Sequence, residues 1–91
     1  MSVTVQLPNV LARLADGQRA LAADGGTVGD VVGVLAERFP SLGPRLRGPD
    51  GTPYEFVTLY LNDEDIRFAD GFATPVRDGD RITVVPAVAG G

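Results

Sequence analysis

The C-terminal segment is the stretch of this sequence whose residue types best suit chemistry. It consists of six residues, Pro86, Ala87, Val88, Ala89, Gly90 and Gly91. Proline has a fixed φ and no amide hydrogen, which predicts that a strand reaching Pro86 stops there. Small residues and paired glycines offer little to bury, so residues 87–91 are predicted to form a flexible tail behind a domain spanning residues 1–86.

The predicted reactive group is the terminal carboxyl of Gly91 itself. Five extended residues reach at most about 17 Å, which is enough to carry that carboxyl into a cleft of another protein. A terminal carboxylate has a pKa of roughly 3.3 to 3.7, so it is ionised at neutral pH and resists nucleophilic attack. It must therefore be activated, usually as an acyl phosphate or acyl adenylate, which requires a nucleotide, a metal and cationic groups.

The chain does not carry that activating machinery. It has no lysine, no histidine, no cysteine and no Gly-x-x-x-x-Gly-Lys motif, so neither a phosphate cradle of that kind nor a thiolate or imidazole metal site is expected. These absences argue against an independent enzyme, and a partner must activate the carboxyl. The alternative is that the two glycines are an ordinary frayed end, and the tail alone does not separate the two interpretations.

Length and charge narrow the class of protein further. The 91 residues suggest one domain with a modest core, and no apolar run approaches the roughly 20 residues that cross a bilayer. Without a basic segment followed by an apolar one at the start, we expect a cytoplasmic protein that binds no membrane. The net charge of −4 disfavours nucleic acid and suits a partner with a basic docking surface.

The first quarter of the chain predicts a hairpin. Residues 2–7 alternate, with Val3, Val5 and Leu7 on one face, which is the period of a half-buried strand. An apolar turn over residues 10–14 and the dipeptide Asp16-Gly17 then lead into a second strand over residues 18–23.

The clearest helix follows. Thr27 and Asp30 match a capping box, and Pro40 ends the pattern. Between them, apolar residues recur with the helical period and predict one buried stripe, Val28, Val31, Val32, Leu35 and Phe39. Gly25-Gly26 before the helix is better explained as a turn than as a phosphate-binding loop, because no lysine or full fingerprint accompanies it.

The remaining elements are shorter. Leu42 and Leu46 are spaced to pack as one helical turn, and residues 55–61 predict a strand with three core residues, Val57, Leu59 and Leu61. That assignment leaves Phe56 and Tyr60 facing outward, where aromatic side chains mark a contact surface. Partial burial beneath a loop is the alternative.

Residues 63–65, Asp-Glu-Asp, are expected to be a solvated turn, because the ligand spacing of a calcium loop is missing, and residues 66–68 are expected to form a short strand. One helical turn is predicted within residues 72–76. The last strand, residues 81–85, should bury Ile82 and Val84 and lie beside the first strand near the centre of the sheet. The sum is an α+β domain with one main helix packed across a mixed sheet of four to five strands.

These residues resemble a known family, the ubiquitin-like β-grasp sulfur-carrier proteins, which include the small subunit of molybdopterin synthase and the thiamin-pathway sulfur carrier. The resemblance covers essentially the whole chain. It is most specific in residues 78–91, where an Asp-Gly-Asp turn precedes an apolar strand, Pro86 and a terminal Ala-Gly-Gly. Residues 57–68 are similar to the actinobacterial carriers that serve cysteine synthesis.

The resemblance implies a β-grasp fold and a sulfur-carrying function. An E1-like enzyme that uses ATP and Mg²⁺ would adenylate the carboxyl of Gly91, and a sulfur donor would convert it to a thiocarboxylate. A sulfur-accepting synthase would then take the sulfur for cysteine, a thiosugar or a related metabolite. The carrier itself would bind no cofactor or metal and would be a monomer when free. We expect its partners to contact the tail, Pro86 to Gly91, and an outward patch of Phe56, Tyr60 and Val85.

Two other hypotheses remain open. A ubiquitin-like modifier, joined to target lysines through Gly91, would use the same tail and the same activation. A plain interaction domain would not need Gly90 and Gly91 at all.

Overall fold

The computed structural model describes residues 2–49, 51–54 and 56–86. Within these ranges five strands form one mixed sheet in the order β2-β1-β5-β3-β4. The strands are β1 (Ser2–Gln6), β2 (Ala20–Asp24), β3 (Val57–Leu61), β4 (Glu64–Asp65) and β5 (Arg81–Pro86). The predicted mixed sheet is confirmed, and so is the place of the last strand, since β5 lies between β1 and β3.

The alternating pattern of β1 separates the two faces of the sheet. Val3 and Val5 are buried while Ser2 and Thr4 are exposed. β1 pairs antiparallel with β2, as the predicted hairpin requires, and parallel with β5. The inner face of the sheet therefore holds the core, and the outer face meets solvent.

The connection from β1 to β2 is helical rather than a simple apolar turn. Helix α1 covers Asn9–Ala12 and runs into a 3₁₀ turn over Arg13–Ala15, and Leu11 is among its buried residues. Asp16 and Gly17 then adopt positive φ values of 56° and 81°, which reverse the chain into β2 and confirm the predicted turn.

Helix α2, Val28–Arg38, begins with the predicted cap, in which Thr27 Oγ1 accepts from the Asp30 amide at 3.1 Å. Asp30 Oδ2 in turn accepts from the Gly26 amide at 3.2 Å, so a carboxylate of the chain occupies the place an anion would take. The predicted stripe is buried at Val28, Val31, Val32 and Leu35, and Phe39 just beyond the helix packs partly buried against the core. Burying each such side chain contributes about 1.5 to 3 kcal/mol, which outweighs the cost of about 1 kcal/mol for each helical glycine.

Helix α3, Gly43–Leu46, confirms the short helical turn expected there. Leu42 and Leu46 are completely buried. Gly43 lies against α2 so closely that a Cβ at this position would come within 2.9 Å of Ala36 Cβ. A glycine is therefore required where the two helices meet.

The prediction of a strand over residues 66–68 is wrong. The strand is β4, which pairs with the end of β3, and Ile66–Phe68 form a 3₁₀ turn with Ile66 buried. The cause is Asp65, whose Oδ1 accepts from the Arg67 amide at 2.9 Å and so replaces a sheet hydrogen bond by a local one. The expectation that residues 63–65 form a solvated turn is wrong for Asp65, which is buried. Asp63 and Glu64 are exposed.

The helical turn expected within residues 72–76 is a 3₁₀ turn over Gly71–Ala73. The residues that follow it fasten the start of α2. Thr74 O accepts from the Val28 amide at 2.9 Å, and the Val76 amide donates to Gly26 O at 3.0 Å.

Candidate functional site

The direction of the strands decides what surrounds the point where the described chain ends. Because β1 and β5 are parallel, both finish at the same end of the sheet, and β2 and β3 start there, with Val57 paired to Pro86. We call this the tail end, and the opposite end, where β1 begins and β3 finishes, the far end. Residues Ala87 to Gly91, predicted as the tail with its reactive carboxyl, lie outside the described residues.

The strand that leads to the tail pairs with β1 over residues 81–83 and with β3 up to Pro86. Strand β5 is bonded to β1 and β3, and its residues Ile82 and Val84 are buried in the core. Strand β5 is described as far as Pro86, which is the residue at which the sequence predicts the strand to stop. The buried residues of a central strand move only when the core opens, so Ile82 and Val84 anchor the strand that leads to Pro86.

The predicted docking residues are placed as follows. Val85 pairs with Thr58 and Tyr60 pairs with Thr83, which puts Val85 and Tyr60 together on the outer face of the sheet. Val85 is 41% exposed and Tyr60 is half-buried. Phe56 precedes β3 at the tail end, is 56% exposed, and meets the ring of Tyr54 edge-on at 5.3 Å. The outward assignment is confirmed for Phe56 and Val85, and Tyr60 lies on the same face but is partly buried, while their role in partner binding stays a prediction.

Sequence reasoning missed a second group of residues at the tail end. Val10 on α1 is 54% exposed, and the exposed side chains of Arg13 and Arg45 line the same shallow depression beside it. Arg19, just before β2, donates to Asn9 Oδ1 at 3.2 Å. The parallel pairing of β1 with β5 would have indicated this group, because it places α1, which follows β1, at the same end of the sheet as Pro86.

Asp65 and Arg67 form the ion pair found among the described residues. Arg67 Nη2 lies 2.7 Å from Asp65 Oδ2, and Arg67 Nε donates to both carboxylate oxygens at 3.1 Å. The pKa of Asp65 lies below its usual range, because the Arg67 side chain and then the Arg67 amide donate to the ionised carboxylate and outweigh the effect of burial. This carboxylate is committed to its neighbour and is unsuited to moving protons at neutral pH.

The described part of the chain contains no group of three or more carboxylates placed to hold a metal ion. None of the helices in that part has the length and apolar character that crossing a membrane requires.

Comparison with known proteins gives a consistent result. The ThiS family model matches residues 5–91. The sulfur carrier protein CysO of Mycobacterium tuberculosis is 43% identical over 93 residues, covering both chains completely. Its crystal structure superimposes with a TM-score of 0.88 at 41% identity, over 94% of this chain and 99% of that one.

Two further structures share the fold. A chain in the crystal structure of the Amycolatopsis orientalis BexX/CysO complex gives a TM-score of 0.90 at 37% identity and covers 98% of this chain and 99% of its own. SAMP1 of Haloferax volcanii gives 0.83 at 30% identity over the whole of both chains. The predicted β-grasp fold and the predicted function are confirmed: this protein is a sulfur carrier, and it belongs to the ThiS family.

Proposed function

We propose that this protein carries sulfur as a thiocarboxylate on the carboxyl of Gly91. The observation that carries the proposal is the full-length match to CysO, a sulfur carrier protein, together with a family match that extends to residue 91 itself. The sequence agrees, because paired glycines leave the terminal carbonyl open to an active site that approaches it closely.

The chemistry has two steps. In the first, the Gly91 carboxylate attacks the α-phosphate of ATP, forming an acyl adenylate and releasing pyrophosphate. In the second, a sulfide sulfur attacks the carbonyl, the bond to AMP breaks, and the new carbon–sulfur bond leaves a thiocarboxylate. Mg²⁺ and cationic groups must balance the phosphate charge. An E1-like activating enzyme supplies them, since this chain has no lysine or histidine to do so.

The fold contributes position rather than chemistry. Pro86 lies at the end of β5, which is paired with β1 over residues 81–83 and with β3 up to Pro86, so the sheet sets where the chain leaves relative to the outer face. A partner that grips Phe56, Tyr60 and Val85 would thereby set the starting point of the tail within its own cleft. Holding the domain in this way fixes the approach of the carboxyl before reaction, which is the main advantage of orientation in catalysis.

Two classes of partner follow. The activating enzyme binds the carboxylate form, and a sulfur-accepting synthase binds the thiocarboxylate form and passes the sulfur to a precursor of cysteine, of a thiosugar or of a related metabolite. The existence of a BexX/CysO complex supports partner binding by a relative with this fold. The acceptor binds the synthase, so its identity depends on the synthase rather than on the carrier.

The test uses the intact chain with an E1-like activating enzyme from an actinobacterium, ATP, Mg²⁺ and sulfide. Intact mass spectrometry should show a gain equal to the difference between one sulfur and one oxygen. The same chain lacking Gly91 should show none. An unchanged mass, with an enzyme shown to modify its own carrier, would contradict the proposal.

A second candidate is conjugation to protein lysines through Gly91. It is favoured by the full-length structural match to SAMP1, which is named a small archaeal modifier protein. The two candidates share activation and differ in the product. Cell extracts would contain a ladder of larger species in which Gly91 is linked to lysine, whereas a dedicated carrier would show no such ladder.

A further inference from the structure

Exposed cationic side chains gather around α1 at the tail end. Arg13 and Arg45 border the depression beside Val10, although they stand 32 positions apart in the sequence. Arg19 joins them through its bond to Asn9, the first residue of α1. We call Val10, Arg13, Arg19 and Arg45 the arginine face.

These arginines are not neutralised within the described part of the chain. No described carboxylate lies within 4.0 Å of Arg13, Arg19 or Arg45. The nearest described acids in sequence are both exposed, Asp16 for Arg13 and Arg19, and Glu37 for Arg45. Asp50 and Glu55 lie outside the described residues. A guanidinium left facing solvent keeps its donors available for a carboxylate of another molecule.

Charge is distributed unevenly between the two ends. The far end carries mostly acids, Asp24, Asp63, Glu64, Asp78 and Asp80, beside Arg77 and Arg81. The whole-chain charge of −4 predicts a partner with a basic surface, but the described charged side chains around α1 are mostly arginines. The molecule would therefore approach an acidic cleft with its tail end first.

We propose that the arginine face docks against an acidic rim of the cleft in the activating enzyme that receives the tail. This inference rests on the proposed function and names the charge of the partner surface. A protein partner fits better than a nucleic acid, because the chain is acidic as a whole and the arginines surround an exposed apolar residue, Val10. Arginine with apolar side chains is the composition that protein interfaces favour.

The arginine face would act together with the outer patch of Phe56, Tyr60 and Val85. Both lie at the tail end of the sheet, the arginine face on the side of β1 and the outer patch on the side of β3. The five residues after Pro86 span at most about 17 Å, so the cleft that receives them must open close to the domain. A partner surface that contacts α1 would therefore lie near the entrance of that cleft. Contacts at such a rim raise the rate of encounter more than they change the chemical step.

The test compares two pairs of substitutions that change the net charge equally. Arg13→Gln with Arg45→Gln neutralises the arginine face, and Arg77→Gln with Arg81→Gln neutralises exposed arginines at the far end. Both variants and the wild type are titrated in the thiocarboxylation assay with the activating enzyme. At low ionic strength the first pair should raise the KM for the carrier about tenfold with kcat unchanged, and added salt should shrink the difference. The far-end pair should leave KM within about twofold of the wild type.

The outcomes separate this inference from the proposed function. Failure of the wild type to gain sulfur removes the proposed function, and the inference falls with it. If the wild type gains sulfur and the two pairs behave alike, or if the far-end pair has the larger effect, the arginine face is not the docking surface while the carrier function stands. Both variants should unfold at the same midpoint temperature as the wild type, which excludes loss of folding as the cause of a raised KM.

Discussion

At the far end of the sheet Asp78, Asp80 and Asn62 close the strand connections, whereas at the tail end Arg13 and Arg45 face solvent. Asp78 Oδ1 accepts from the Ser2 amide at 3.0 Å, Asp80 Oδ2 accepts from the Arg77 amide at 2.8 Å, and Asn62 Oδ1 accepts from the Arg81 amide at 3.1 Å. At the tail end, the side chains of Arg13 and Arg45 bond to none of the described residues, and large apolar side chains are exposed. Those apolar residues are Val10, Phe56 and Val85.

The difference indicates how one small sheet serves both folding and binding. Polar groups that bond to the chain itself hold strands in register and have no capacity left for a partner. Groups left facing solvent add little to folding and remain available for contact. The far end therefore maintains the sheet, and the tail end presents side chains that are free for contact.

The largest expected effect on the free energy of unfolding comes from the buried side chains of β5. Ile82 is 1% exposed and packs beneath the far end, so Ile82→Ala should lower the free energy of unfolding by about 2 to 5 kcal/mol. Val85→Ala, at the exposed tail end of the same strand, should change it by no more than about 0.5 kcal/mol. Urea unfolding of both variants measures the contrast, and equal losses would mean that Val85 is part of the core.

A smaller loss is expected at the far-end turn. Asp80→Ala removes an acceptor for the Arg77 amide and a longer bond of 3.4 Å from Asn62 Nδ2, which should cost about 1 to 2 kcal/mol. Asp63→Ala removes the same charge from an exposed side chain that accepts no hydrogen bond from a described residue, and it should stay within about 0.5 kcal/mol of the wild type. Equal losses in the two variants would show that charge, not bonding, stabilises this end.

The ion pair between Asp65 and Arg67 should make the stability of the fold depend on pH. Because the folded pKa of Asp65 is lowered by Arg67, the pair stabilises the fold above the unfolded pKa of about 3.9, and this contribution is lost as the pH falls through the folded pKa. Asp65→Asn should therefore be less stable than the wild type at neutral pH, and the gap should close in acid. Arg67→Gln should show the same trend, and the double variant should lose little more than either single one. A gap that persists at low pH would contradict this assignment.

The smallest effect on folding is expected from the arginine face. Arg13→Ala and Arg45→Ala should each change the free energy of unfolding by less than about 0.5 kcal/mol, because neither side chain bonds to a described residue. Thermal and urea unfolding measure this. A loss above about 1 kcal/mol from either would show that the arginine stabilises the domain, which would weaken the contrast between the two ends.

Much of the fold followed from local pattern. The alternation of residues 2–7 gave the buried side of β1, and the helical period from Val28 gave the stripe of α2. The Thr27 cap and the Asp16-Gly17 turn followed from side-chain chemistry that acts over a few residues. Such features depend on near neighbours, which is why sequence alone predicts them.

The errors have equally physical causes. Residues 66–68 have the composition of a strand, but the bonds between Asp65 and Arg67 fold them into a 3₁₀ turn and bury the Asp65 carboxylate. The arginine face escaped notice because Val10 and Arg45 meet only through the tertiary fold. At the candidate site, the outward direction of Val85 and Phe56 was predictable from strand alternation, and the partner of each residue was not.

The most direct test of the account is mass spectrometry of the C-terminal peptide of the native protein, isolated from cells under gentle, non-hydrolysing conditions. The account predicts that a fraction of the peptide ends in a Gly91 thiocarboxylate, heavier than the carboxylate by the difference between one sulfur and one oxygen. Finding only the free carboxylate, in cells that also produce the activating enzyme and a sulfur source, would contradict it.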